Sequence, residues 1–250
     1  MTRGRWQGMG SVVRFNWPFY LVAAVGFACC IAGVFVAQGM WLRWGMLLMA
    51  AGSGYFIFVS LGVSHLIYDR SDLYRWRWLE RVLQGKDQKR LVFCHSGFDE
   101  ASQALGERFE GAEWRVLDHY DPVSMTEASI GRARKFYPPT QQTLASGFGS
   151  WPVEDGWADV VFGILAIHEL RTVEERGKWF AEAKRCIVPD GRIVIVEHVR
   201  DPANFLAFGP GFLHFHSVEK WRPSWEMAGL RLVDGFRITP WIRVFVIGKP

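Results

Sequence analysis

Between residues 16 and 68 the chain carries a single formal charge, Arg43. Two apolar stretches flank it, at about 17–37 and 45–67, and each approaches the ~20 residues a helix needs to cross ~30 Å of hydrocarbon. A secretory signal peptide is a poor description, because the first run is long and a second follows almost at once. Two buried helices of a soluble core fit these lengths no better. The connection around residues 38–43 is too short for a domain, so residues 1–70 are expected to form a transmembrane hairpin.

The small residues Gly26, Ala28, Gly33, Ala50, Gly52 and Gly54 would let the two backbones approach closely. Trp17, Tyr20, Trp41, Trp44 and Tyr68 lie near the span ends, where aromatic rings anchor to headgroups. Arg3, Arg5 and Arg14 precede the first span, and Arg70, Arg75, Arg77, Arg81, Lys86, Lys89 and Arg90 follow the second; the tip has only Arg43. This bias predicts an inner (cytoplasmic) membrane protein with both termini and the remaining domain cytoplasmic. Residues 71–89 then read as an interfacial or connector helix. Leu73, Trp76, Leu79, Val82 and Leu83 share a helical face over 71–83, suited either to the headgroup layer or to packing on the next domain.

The 250-residue length leaves room for one ordinary domain after the hairpin. No Lys/Arg stripe crosses that region, so nucleic acid is not an expected partner. The four cysteines, Cys29, Cys30, Cys94 and Cys186, form no CxxC pair and read as free thiols. From residue 90 onward short apolar runs alternate with helical stretches. Strands are expected at 91–94, 114–117, 142–144, 159–165, 192–197, 230–237 and 243–247, with helices at 124–136 and 174–186. That alternation predicts an α/β, mostly parallel, doubly wound sheet over 90–250, with ligands bound outside the carboxyl ends of its strands.

Two segments carry a resemblance. WPVEDGWADVVFGILAIHEL (151–170) and RCIVPDGRIVIVEH (185–198) look like the fourth- and fifth-strand segments of class I S-adenosylmethionine-dependent methyltransferases, with Pro189, Asp190 and Gly191 as the turn between helix and strand. The resemblance implies a Rossmann-like seven-stranded methyltransferase sheet whose last strand is antiparallel. It also implies S-adenosylmethionine as cofactor.

The first-strand loop departs from the family's GxGxG pattern. LVFCHSGFDEAS keeps only the middle glycine, Gly97, with His95 and Asp99 at the flanking positions and Phe93 where an acidic residue is usual. Asp99 would accept from the cofactor's ammonium or cap the following helix. Asp118, closing the second strand, is the expected acceptor for the ribose hydroxyls, and Asp121 a helix cap. Gly147 and Phe148 stand near the adenine position, and Gly163 and Ile164 on the methionine side.

Methyl transfer is an in-line displacement at a sulfonium, so alignment and desolvation dominate and a base serves only a protonated nucleophile. Candidate catalytic or acceptor-binding residues are His168, Glu197, His198, His214 and His216. His214 and His216 form an HxH pair that would share one face of a strand. Lacking a strong third ligand in sequence, no metal site is expected. The function expected is methyl transfer to a small, lipophilic or lipid-like acceptor at the membrane face. The alternatives are a non-catalytic, membrane-bound binding module of the same fold and an NAD-type oxidoreductase, the latter disfavoured by the missing GxGxxG.

Overall fold

The computed structural model describes residues 4–84 and 88–250; Arg3 and Lys86, two of the flanking charges, lie outside them. The apolar runs form seven strands: β1 (Arg90–His95), β2 (Glu113–Asp118), β3 (Thr143–Ala145), β4 (Ala158–Ile164), β5 (Ile187–His198), β6 (Arg231–Thr239) and β7 (Ile242–Gly248). Their order in one sheet is β3-β2-β1-β4-β5-β7-β6. The first five pair in parallel, and β7 runs antiparallel to both of its neighbours. The order reverses between β1 and β4, which opens the crevice of a doubly wound sheet at the carboxyl ends of those strands. At the start of β5, Ile187 faces Ala158 while Arg192 faces Val160. Residues 188–191, which hold the expected Pro-Asp-Gly turn, therefore bulge out of the ladder.

Alternate residues of each strand point to opposite faces, and both faces are covered. On one, Val92, Cys94, Val161, Ile193 and Ile195 pack under α6 (Val173–Cys186) and α8 (Val218–Met227), with Trp179, Phe180, Trp221 and Trp225 filling the layer. On the other, Leu91, Phe93, Phe162, Val194 and Val196 meet Leu73, Trp76, Trp78, Leu79 and Val82 from the connector. The expected 71–83 helix is confined to α3 (Leu79–Leu83). Trp76 adopts a left-handed φ of 63°, which breaks the helix and turns Trp76 and Trp78 into the same buried layer. The Trp78 indole N–H donates to the Leu73 carbonyl at 3.0 Å.

Helices α1 (Gln7–Val36) and α2 (Met40–His65) form the hairpin, and both are long and apolar enough to cross a membrane. Backbone contact is close where small residues face the partner: a Cβ on Gly33 would lie 2.7 Å from the Met46 sulfur, and Gly54 abuts Phe27. Asn16 leaves helical geometry, two residues before Pro18. Ahead of that kink, Phe15 packs against Phe98, Phe136 and Tyr137 of the globular domain. A π-helical turn (Leu66–Arg70) ends α2. Its Asp69 accepts the Gly8 and Met9 amides of α1 at 2.7 and 3.0 Å, and its Oδ2 lies 3.0 Å from His65 Nδ1. A carboxylate at a helix start stabilises the unpaired amides there, so Asp69 clasps the two ends of the hairpin together.

Gly163 in β4 sits where a Cβ would lie 2.5 Å from Ile167 Cγ1 and 3.1 Å from Ile195 Cδ1. Gly163→Ala is expected to destabilise the domain by about 1–3 kcal/mol through overpacking, read as a lowered midpoint in denaturant. Gly147→Ala, with open space around it, is the comparison and is expected to shift the midpoint far less.

Candidate active site

The carboxyl ends of β1 and β2 meet in register, with His95 opposite Asp118. Gly97 follows with φ +89°, and its ideal Cβ would lie 2.8 Å from the Tyr120 ring and 3.0 Å from Ile130. Only glycine tolerates both that φ and that crowding. Asp118 is buried. Its Oδ1 accepts the Gly97 and Tyr120 amides, each at 3.0 Å, and its Oδ2 accepts Arg134 Nη1 at 2.5 Å. A carboxylate has about four acceptor directions, so these bonds leave about one open, on Oδ2. Four buried polar atoms beside it have no hydrogen-bond partner among the described residues: His95 Nδ1, which lies 3.4 Å from Asp118 Oδ1, His95 Nε2, Ser96 Oγ and His119 Nε2. Buried polar atoms are rarely left unpaired, and here they cluster at the edge where this fold binds ligands.

The other expected cofactor contacts are placed as follows. Asp99 accepts the Ala101 and Ser102 amides and the Ser102 hydroxyl, at the start of α4 (Ser102–Gly106). Gly147 is exposed in the turn after β3, and half-buried Phe148 packs on the core. The space over Gly163 is taken by Ile167, and Ile164 is buried on the connector side of the sheet. A cavity of about 230 Å³ lies at the opposite edge, bounded by Leu83, Asp159 and Gly191. It is remote from every candidate residue, so its size says nothing about the chemistry.

The carboxyl end of β5 is built on Glu197, which is fully buried. Its Oε1 accepts the amides of Ala166, Ile167 and His168 at 3.0, 2.8 and 3.2 Å, and its Oε2 lies 2.7 Å from His168 Nδ1. The other imidazole nitrogen of His168 is 3.3 Å from Glu169 Oε1, which is also 3.3 Å from His214 Nε2. His214 Nδ1 in turn lies 2.7 Å from Glu127 Oε1, at the start of α5 (Ala128–Phe136). Arg171 staples the group by donating to the His168 and His214 carbonyls. Burial alone would lower the His168 imidazole, but Glu197 and Glu169 outweigh it and hold its pKa at about 10. Burial likewise opposes ionisation of Glu169, and hydrogen bonds from His168 and His214 overcome it and keep the carboxyl well below its usual range.

His214 and His216 do not share a strand face. His214 ends a 3-10 helix (Gly209–His214), and the chain turns between them. His216 is buried away from the cluster, where its Nε2 meets Arg176 Nη1 at 2.9 Å and the His168 carbonyl at 3.0 Å. Burial first, then Arg176, pushes its pKa down to about 3. Arg176 itself lies in the core, donating to the Leu170 carbonyl and Ser224. His198 is also buried, its Nε2 2.8 Å from the Tyr68 hydroxyl and its Nδ1 2.9 Å from Asn204 Oδ1. Sequence reasoning missed Arg134, Glu127, Tyr68 and Arg171. Glu127 and Arg134 come from the two ends of α5, Tyr68 from the π-helical turn and Arg171 from the loop before α6; only Arg171 lies close in sequence to its partner, His168.

The sheet order, the glycine turn after β1 and the carboxylate closing β2 together decide the architecture. The fold is that of the class I S-adenosylmethionine-dependent methyltransferases. The mitomycin 7-O-methyltransferase MmcR aligns with a TM-score of 0.57 at 16% identity, over 99% of this chain and 74% of that one. A SAM-dependent methyltransferase from Aquifex aeolicus aligns at 0.50 and 16%, over 70% and 91%. The [4+2]-cyclase SpnF aligns at 0.50 and 13%, over 73% and 82%. At such identities the likeness is one of fold. No protein-family model matches the sequence, and no curated protein matches it.

Burial pushes the His119 imidazole down to about 4, the chief effect among several. Its native pKa thus lies below the unfolded value near 6.5, so its contribution is intact above about pH 6.5 and declines as pH falls toward 4. The expected slope from this group is about 1.4 kcal/mol per pH unit in that window. His119→Gln should flatten the acid side of a stability–pH profile; an unchanged profile would show that His119 is hydrated in the native state.

Proposed function

We propose that the chain is a membrane-anchored, S-adenosylmethionine-dependent methyltransferase acting on a small lipophilic acceptor at the cytoplasmic face. The observation that carries this reading is that the acceptor edge of a methyltransferase fold is tied to the apolar hairpin at two points. Tyr68 reaches His198 at 2.8 Å, and the Tyr55 hydroxyl, well inside α2, donates to the Leu206 carbonyl at 2.8 Å. Leu206 belongs to α7 (Pro202–Phe208), which with the following 3-10 helix forms an excursion without a formal charge over 202–213. Phe205, Leu206 and Leu213 are exposed on it. An apolar surface continuous with a membrane-length helix fits the bilayer, and it offers a lipophilic acceptor a lateral route to the cluster around Glu169.

For the cofactor, the fit rests on the Gly97 cradle and the unpaired atoms of His95, Ser96 and His119. These residues with Asp118 would hold it, and when bound it supplies an activated methyl group on a sulfonium. The chain's own work is alignment and exclusion of water. Asp118 would hold one hydroxyl directly, and a second only if Arg134 swings aside. Glu197 fixes the β4 turn so that His168 and Glu169 face the acceptor. Both nitrogens of His168 and of His214 are engaged by carboxylates, so an acceptor that must lose a proton finds no free imidazole there, whereas one with a lone pair of its own needs none.

A second reading, a membrane-bound binding module without turnover, is favoured by the Tyr120 ring over Gly97 and the Arg134 bond to Asp118. Full-length protein in detergent, given methyl-labelled cofactor with a lipid extract or a soluble cell extract, separates the two. Label appearing in the organic-soluble product is the expected result. Label confined to water-soluble products would remove the lipophilic acceptor, and no transfer from a folded protein that binds cofactor would favour the module. The anchor has its own test: reporter fusions after residue 40 and after residue 90 should report opposite sides of the membrane, and the same side for both would rule out the hairpin.

A further inference from the structure

The acceptor-side cluster has a geometry that a proton-sharing network does not require. Nε2 of His168 and Nε2 of His214 both point at one oxygen of Glu169, each at 3.3 Å. The far nitrogen of each ring is held by a different carboxylate, His168 Nδ1 by Glu197 at 2.7 Å and His214 Nδ1 by Glu127 at 2.7 Å. The potential ligand atoms of His168, Glu169 and His214 all lie within 4.8 Å of one another. We propose that His168, Glu169 and His214 form a His₂Glu site for a divalent cation of the zinc type, with Glu197 and Glu127 orienting the two imidazoles from behind.

Three features support this assignment. Bonds of about 2.0–2.1 Å in a tetrahedron place neighbouring ligand atoms about 3.3 Å apart, the separation seen on both sides of Glu169. Metal-binding histidines characteristically donate their second N–H to a carboxylate, which fixes tautomer and ring orientation, and here both do. The charge in direct contact also favours a cation: Glu127, Glu169 and Glu197 touch the two imidazoles, Arg171 meets only the outward-facing His214 Nδ1 at 3.4 Å, and Arg176 and Arg200 are engaged by His216 and by backbone carbonyls beside the group. Imidazole nitrogens with one carboxylate suit zinc better than magnesium or calcium, which prefer all-oxygen shells. Three protein ligands leave a fourth position open to solvent or substrate. His216, the other half of the HxH pair, takes no part because its ring is locked on Arg176.

A cation here would bind an acceptor hydroxyl at the open position and ease loss of its proton to solvent. That role rests on the methyl-transfer reading; occupancy of the site does not. The test therefore omits cofactor and acceptor. Full-length, tag-free protein with Cys29 and Cys30 replaced by Ala is stripped with chelator and dialysed against Zn²⁺, and bound metal is counted by atomic emission. One zinc per chain is expected, with at least about tenfold weaker binding in His214→Ala and Glu169→Gln. Glu127→Gln touches only the outer nitrogen of His214 and lies on an exposed residue, so it should fold normally; the loss expected is about tenfold. Co²⁺ in place of zinc should give the intense visible bands of a tetrahedral site. No stoichiometric zinc in the parent, or an affinity equal to the parent's in the folded Glu127→Gln and Glu169→Gln variants, overturns the proposal.

Discussion

The edge at the carboxyl ends of β4 and β5 depends on one buried carboxylate. Glu197 lies one residue from the end of β5, and its side chain takes the place of a partner for three successive backbone amides in the turn after β4. A buried carboxylate is costly unless its acceptor directions are filled. Here three amides and one imidazole fill them, so the cost of burying the charge is offset by a turn with one available geometry. That turn carries His168 and Glu169. Their positions, and through them that of His214, follow from where β5 ends.

The same edge is coupled to the hairpin. Asp69 clasps the start of α1 to the end of α2, and the next contact along is Tyr68 to His198, one residue beyond Glu197. Phe15, just before the kink in α1, lies against Phe98 in the loop after β1. The hairpin thus bears on both halves of the crevice. Movement of the hairpin relative to the sheet would disturb Gly97 on one side and His198 on the other, a coupling that a flexible tether could not provide.

The sheet was legible in the sequence because its strands are contiguous apolar runs bounded by charge or turn residues, as in RIVIVE and ADVVFGI. The hairpin was legible for the same reason on a longer scale. Less legible were the parts set by tertiary contact. The amphipathic pattern over 71–83 reads as one helix, but Trp76 and Trp78 gain more by entering the sheet core than the backbone loses at one left-handed residue. At HxH the two-residue spacing predicts a shared face only on a strand. Arg176, buried and in need of acceptors, instead draws His216 and the Leu170 carbonyl to itself. Asp118 stands where the resemblance puts it, at the carboxyl end of β2. Its partner Arg134 lies on another element, and no local motif announces it.

The central claim is that the crevice at the ends of β1 and β2 holds S-adenosylmethionine. Calorimetric titration of the cofactor into full-length, detergent-solubilised protein tests it most directly, with Asp118→Asn as the companion variant. The account predicts one cofactor per chain in the parent and at least about tenfold weaker binding in the variant, from loss of a charged acceptor. A folded, monodisperse parent that takes up no cofactor, or a variant that binds it equally well, would contradict the account.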